Sequence, residues 1–289
     1  MEKRQYAQEI ANQFINAEVT EVTKNGVLQT GVCIRMDFEG QHELAPNIYI
    51  DMFYDQGLSV PEAVEKIKFM LTDQRDFISE HSGDMDDGLK DMVVWTSAKE
   101  RIIPILMNID KADLDGMVYH EVPNTTTQDI VVAFRYVIEN NKSGRMSIKV
   151  TQKEVDQWDI NIDILFDQAV KNLSKEHPFI QGLNSLVLAL IGEDDMPFPV
   201  GDFDDDMIVI TNQNKVDGAV MIIHPEIALD PKWNQFVFIP SSRHEIIAVR
   251  KSTIQNPQEI EKMVADVNYS VVSDVDFLSD HPFERLLDI

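Results

Sequence analysis

Residues 235–250 read QFVFIPSSRHEIIAVR, two apolar runs on either side of a polar corner. Residues 236–239 and 246–249 are β-branched or aromatic runs of strand length, and Ser241, Ser242, Arg243, His244 and Glu245 between them suit a five-residue hairpin loop. A pair of strands joined this tightly has to run antiparallel. The corner also gathers two hydroxyls, a guanidinium, an imidazole and a carboxylate. A catalytic reading makes Ser241 or Ser242 a nucleophile, His244 its base and Glu245 the group that orients the base. Against it, neither serine sits in a G-x-S-x-G elbow, and adjacent residues of a strand point to opposite faces. His244-Glu245 opens an H-E-x-x-H zinc pattern, but Ala248 stands where the second histidine is needed. The corner therefore reads as structural, its hydroxyls bonded to nearby backbone N–H groups and Glu245 paired with Arg243 or His244.

Outward from this hairpin, helical and strand patterns alternate. On its C-terminal side Asn256-Pro257 with Glu259 opens a helix through Ile260, Met263, Val264 and Val267, and Phe277, Leu278, Phe283, Leu286 and Leu287 predict a docked tail. On its N-terminal side, residues 207–211 and 219–223 read as strands. Residues 192–206, GEDDMPFPVGDFDDD, read as an acidic solvated linker, and a helix is predicted over about 180–191. Strands over 130–138 and 145–150 precede a capping box, Thr151 with Glu154, and a helical repeat through Leu173.

At the N-terminus, Tyr6, Ile10, Phe14 and Ala17 share one helical face. Asn25-Gly26 predicts a tight hairpin, residues 47–53 a third strand, and Ser59 with Pro61 and Glu62 a second helix start. Residues 89–109 carry a helical pattern broken at Pro104. The expected architecture is α+β, mainly antiparallel sheets covered by helices, in two packed halves: 1–112 and 113–289.

The chain has 289 residues, with 50 acidic against 25 basic, a formal charge of −25. That balance argues against binding nucleic acid, which requires clustered Lys and Arg, and points to a basic protein partner. One cysteine, Cys33, allows no internal disulfide and fits a reducing cytoplasm. No signal peptide is expected, and the longest apolar run, 186–191, is too short to cross a bilayer, so no membrane contact is expected.

No cofactor is expected, because neither a Walker A motif nor a G-x-G-x-x-G fingerprint occurs. Asp202, Asp204 and Asp206 take positions 1, 3 and 5 of a calcium loop, yet Met207 replaces its glycine and Gln213 its last ligand. Asp113-x-Asp115-Gly116 fails in the same way, with Lys111 and Val122 at the outer positions. The seven histidines lack helical ligand spacing, so no metal site is expected.

Several phrases resemble an uncharacterised family of bacterial proteins, a domain of unknown function common in Gram-positive gut bacteria and often met near mobile elements. They are Ala45-Pro-Asn-Ile-Tyr-Ile-Asp51, Val155-Asp-Gln-Trp-Asp159 leading to Ala169-Val-Lys-Asn-Leu173, Ile210-Thr-Asn212, Phe238-Ile-Pro-Ser-Ser-Arg-His-Glu-Ile246, and Val267-Asn268 followed by Leu278-Ser-Asp280. The resemblance implies an intact cytoplasmic bacterial or phage-like protein and brings no activity, catalytic residue or cofactor. The expected function is a cytosolic acidic protein-interaction or regulatory module, in its sharpest form a mobile-element or phage-associated inhibitor acting by negative-charge mimicry. Binding is then expected at Asp202, Asp204, Asp205, Asp206 and Arg243. The alternative is a hydrolase working through the 241–245 corner. A hydroxyl of Ser241 or Ser242 hydrogen-bonded to the imidazole, with the bend lining a deep cleft, would favour that alternative.

Overall fold

The two-residue turn anticipated at 25–26 is the simplest link from sequence to architecture: Gly26 takes φ +71°, and Lys24 pairs with Val27 across it. A computed structural model describes every residue of the chain except 25, 39–41, 45, 142–143, 183–205 and 287–289. The acidic stretch 192–205 and most of the helix expected over 180–191 thus lie outside the described residues. The chain divides into two compact units, Met1–Asp86 and Asp87–Ile289.

In the first unit, helix α1 (Lys3–Ala11) lies on an antiparallel sheet of β1 (Ala17–Lys24), β2 (Val27–Ile34) and β5 (Asn47–Tyr49), in the order β1-β2-β5. β3 (Met36–Phe38) and β4 (His42–Leu44) form a separate antiparallel pair. The strand expected over 47–53 stops at Tyr49, and α2 (Asp51–Asp55) follows at once. Tyr6 and Ile10 of α1, Val32 and Ile34 of β2, Phe53 of α2, and Val64 and Ile67 of α3 (Val60–Asp91) form one core, at about 25 cal/mol per Å² of apolar surface removed from water. Glu62 accepts hydrogen bonds from the backbone N–H and the hydroxyl of Ser59, at 2.8 and 2.6 Å. That is the capping box the sequence predicts.

The second unit carries two antiparallel sheets. Residues 89–109 are not one broken helix. α3 ends at Asp91, α4 (Trp95–Ala98) makes one turn, and β6 (Ile102–Asn108) is a strand. Pro104 is tolerated because β6 is an edge among the described strands: β8 (Ile130–Asn141) pairs with β6 on one side and with β7 (Tyr119–Glu121) and β9 (Gly144–Lys149) on the other. α5 (Ile109–Leu114), α6 (Gln152–Trp158) and α7 (Ile162–Leu173) accompany this sheet, and Thr151 with Glu154 caps α6 as expected.

The second sheet has the order β10-β11-β13-β12-β14, from β10 (Phe179–Gly182), β11 (Met207–Thr211), β12 (Phe236–Ser242), β13 (Glu245–Arg250) and β14 (Phe283–Glu284). Residues 179–182 are thus strand where a helix was expected to begin, with Ile180 opposite Ile210. Residues 219–223, expected as a strand, lie in a fully buried 3₁₀ segment, Gly218–Ile223; a short apolar run does not separate the two by period alone. α8 (Pro225–Ala228) follows it. α9 (Pro257–Val271) packs on β12, and the tail docks through Leu278 and Phe283, the latter stacked on Phe238 at 5.4 Å. The fold is α+β with antiparallel sheets.

Candidate functional site

The hairpin at 235–250 forms, but its loop is shorter than five residues. Ser242 pairs with Glu245, so only Arg243 and His244 turn, and a register shift between Ile239 and Ser242 absorbs the difference. Ser242 Oγ accepts the His244 backbone N–H at 2.9 Å, the local serine turn the sequence suggests. Nothing further about the corner was legible locally, because its partners come from remote segments.

Two aspartates hold it. Arg243 donates through Nε to Asp217 at 2.6 Å, with a second guanidinium nitrogen on the same oxygen, and its backbone N–H donates to the Asp276 carbonyl at 2.8 Å. His244 Nδ1 accepts the Asp217 backbone N–H at 3.3 Å, while Nε2 stands 3.1 Å from the Asp276 carboxylate. A single ring proton therefore belongs on Nε2. The His244 carbonyl accepts the Thr211 hydroxyl at 2.7 Å, and the Arg243 carbonyl accepts the Ala219 N–H at 3.1 Å. Asp217 reaches this position in a left-handed conformation, φ +55°. Beside it, a Cβ on Gly218 would lie 2.0 Å from Thr211 Oγ1 and 2.5 Å from the His244 carbonyl oxygen. Only glycine fits there.

A second set of polar contacts surrounds the first. The Ser279 N–H donates to Pro240, Asn268 Nδ2 donates to the Ser279 carbonyl at 3.0 Å and to Asp280 at 2.8 Å, and the Ser279 hydroxyl bonds Asp129. Asn108 of β6 donates to the Leu278 carbonyl at 3.0 Å, joining the segment to the other sheet. Lys111 of α5 donates to the Asp274 and Phe277 carbonyls and lies 5.0 Å from the Phe277 ring centroid. Burial pushes the Lys111 ammonium below its ordinary value, against the opposing pull of Asp274 and Asp276. Burial also lowers Arg135 of β8, helped by nearby Arg243 and opposed by Asp217 and Asp115.

Three of the phrases that carry the family resemblance converge here, although they lie far apart in the chain. Thr211, the 238–246 phrase, Asn268 and the 278–280 phrase all contribute to this one polar hub. Asp217, Gly218, Asp276, Lys111 and Asp129 were missed by sequence reasoning.

Chemically, the arrangement does not align a triad through Ser242 among the described residues. Ser242 is buried with its oxygen on a backbone N–H, and the two imidazole nitrogens face Asp217 and Asp276. Asp276, not Glu245, occupies the orienting position beside the ring. Ser241 lies in β12. Ala248, where a zinc pattern would require histidine, is fully buried opposite Phe238 and Ile208. Among the described residues no group of three His, Cys, Asp or Glu side chains could hold a metal ion, and no helix is long and apolar enough to cross a membrane. Asp202, Asp204 and Asp205 lie outside the described residues. Asp206 accepts the Arg250 N–H at 2.8 Å through its carbonyl and leaves its carboxylate largely open, 3.8 Å from Arg250 Nε.

No curated protein and no solved structure matches the chain. One family model does, over residues 3–284, nearly the whole length, and on that match the chain belongs to DUF5688, a family of unknown function.

Proposed function

We propose that the protein is an interaction module that meets basic partners through a carboxylate-rich exterior, and that its 241–245 corner is a structural tie. One observation carries this reading: acids outnumber bases two to one, several cations are held inside the fold, and carboxylates stand open to solvent. Arg243 is held by Asp217, Lys111 by two backbone carbonyls, and Arg285 by the carbonyls of Ile222 and Ala228. By contrast the side chains of Asp55, Asp163 and Asp206 are 65–72% open to solvent. With 50 acids against 25 bases, the exterior carries a surplus of negative charge. Such a field steers basic macromolecules toward the surface and repels nucleic acid and anionic lipid.

In its sharper form the protein is a decoy, its carboxylates standing in for phosphates on a surface that binds nucleic acid. The test is affinity capture from a lysate of the producing cell at low and at high salt, with mass spectrometry of the eluate. Basic proteins retained at low salt and released as ionic strength rises support the reading, since exposed charges are screened beyond about 10 Å at 0.1 M salt. Partners of acidic or neutral composition that stay bound in high salt would show that charge is not what recruits them.

A further inference from the structure

Charge gathers a partner without fixing where it docks, and the first unit offers a place for docking. Met52, Phe53, Glu65, Lys66, Phe69 and Met70 line an open groove of about 480 Å³ between α2 and α3, within the range of roughly 300–1,000 Å³ typical of binding pockets. Phe53 forms part of the core beneath it, whereas Met52 and Phe69 are 61% and 74% exposed. An exposed aromatic beside methionines is costly to leave in water and well suited to an apolar anchor. Helical spacing then decides the rim. Glu62, Glu65, Lys66 and Phe69 follow i, i+3, i+4, i+7 along one stripe of α3, and Asp55 lies one turn from Met52 on α2. Asp51, Asp55, Glu62 and Glu65 against Lys3 and Lys66 leave this apolar patch with a net acidic rim.

Resting on the reading of a basic partner, we infer that this groove receives a basic amphipathic helix of that partner, its apolar side chains entering between Met52 and Phe69 and its Lys or Arg side chains facing Asp55, Glu62 and Glu65. Charge complementarity selects this occupant. A second copy of the chain would bring the same carboxylates against themselves, and an anionic bilayer would be repelled.

The test uses the full chain and two labelled peptides of equal length and charge, followed by fluorescence anisotropy at low salt. One alternates leucine and lysine at helical spacing; the other carries lysine among glycine and serine, with no apolar face. We expect the leucine–lysine peptide to bind more tightly, and Phe69→Ser to weaken it about tenfold or more while leaving the second peptide unchanged. Leu229→Ser, a change at an exposed leucine of the second unit, is expected to alter neither. Circular dichroism checks that Phe69→Ser, at an exposed position, keeps the fold. Equal binding of the two peptides, or indifference to Phe69→Ser, overturns the groove and leaves the charge reading standing. Failure of both peptides to bind removes the charge reading and the groove together. Self-association of the wild type that Phe69→Ser abolishes, read by sedimentation, makes a second copy the occupant and overturns the inference.

Discussion

His244 Nε2 stands 3.1 Å from Asp276 Oδ1, and the opposite ring nitrogen accepts the backbone N–H of Asp217. The imidazole thus ties the hairpin to two segments from either side of it in the chain. Each contact is partly open to solvent, with the His244 and Asp276 side chains both 32% exposed. His244→Ala should therefore cost only about 1 kcal/mol, read as a lower urea midpoint. A fluorophosphonate probe should leave Ser242 unlabelled in wild type and variant alike. Labelling of the wild type that His244→Ala abolishes would restore the hydrolase alternative.

Gly218→Ala should be far more damaging than its single methyl suggests. The added carbon would collide with a hydroxyl that is able to rotate and with a backbone carbonyl that is not. A loss of about 3 kcal/mol is expected, at the upper end for overpacking. Thr211→Ala in the same chain should recover only part of it, because the His244 carbonyl remains in the way. Urea unfolding of the two variants measures both effects.

Lys111 carries a pH dependence whose sign is fixed by its burial. The folded protein holds this ammonium less readily than the unfolded chain, whose value is 10.5, so over the window just below 10.5 the unfolded state binds more protons. Stability contributed at this site must then rise with pH through that window, as the folded state sheds a charge that is unfavourable to bury. Comparing wild type with Lys111→Met by denaturant unfolding isolates the effect from other titrating groups. The difference between the two should shift in favour of wild type as pH climbs toward 10.5.

At the start of α3 the sign is opposite. Hydrogen bonds from the Ser59 hydroxyl and N–H hold the Glu62 carboxyl below its ordinary 4.5. The contribution of this cap is complete above 4.5 and is lost as pH falls through the lower folded value. Ser59→Ala should move the Glu62 titration, followed by NMR, back toward 4.5. No movement would mean that the hydroxyl contributes nothing to the cap.

How much of this was legible in advance depends on whether a feature is local. The 236–250 hairpin, the turn at Gly26 and the capping boxes at Ser59 and Thr151 are each written within a few residues, and each is present. Pro104 misled because its tolerance depends on β6 being an edge, a property of sheet order that no window around residue 104 contains. The buried run 218–223 misled because apolar residues on every side erase the period that separates strand from helix. Asp217 and Asp276 looked like ordinary loop acids. Their roles appear only once folding brings them to Arg243 and His244.

Arg285 provides the last test, since it opposes two effects of similar size. Its side chain is almost wholly buried, burial pushes the guanidinium down to about 10, and its Nε finds no acceptor among the described residues. Removing the charge relieves that desolvation. Yet Nη1 donates to the Ala228 carbonyl at 3.0 Å and Nη2 to the Ile222 carbonyl, which fastens the C-terminal segment to the end of the 3₁₀ run and to α8. Two buried carbonyls orphaned at once outweigh one incompletely satisfied cation, because each unpaired group costs about 1–3 kcal/mol. Arg285→Met should then destabilise by about 2 kcal/mol despite its good packing volume. Arg285→Lys should recover only part of this, since a compact ammonium cannot span two carbonyls as a planar fork does. A urea midpoint for Arg285→Met equal to or above wild type would show that burying the guanidinium costs more than its two hydrogen bonds return.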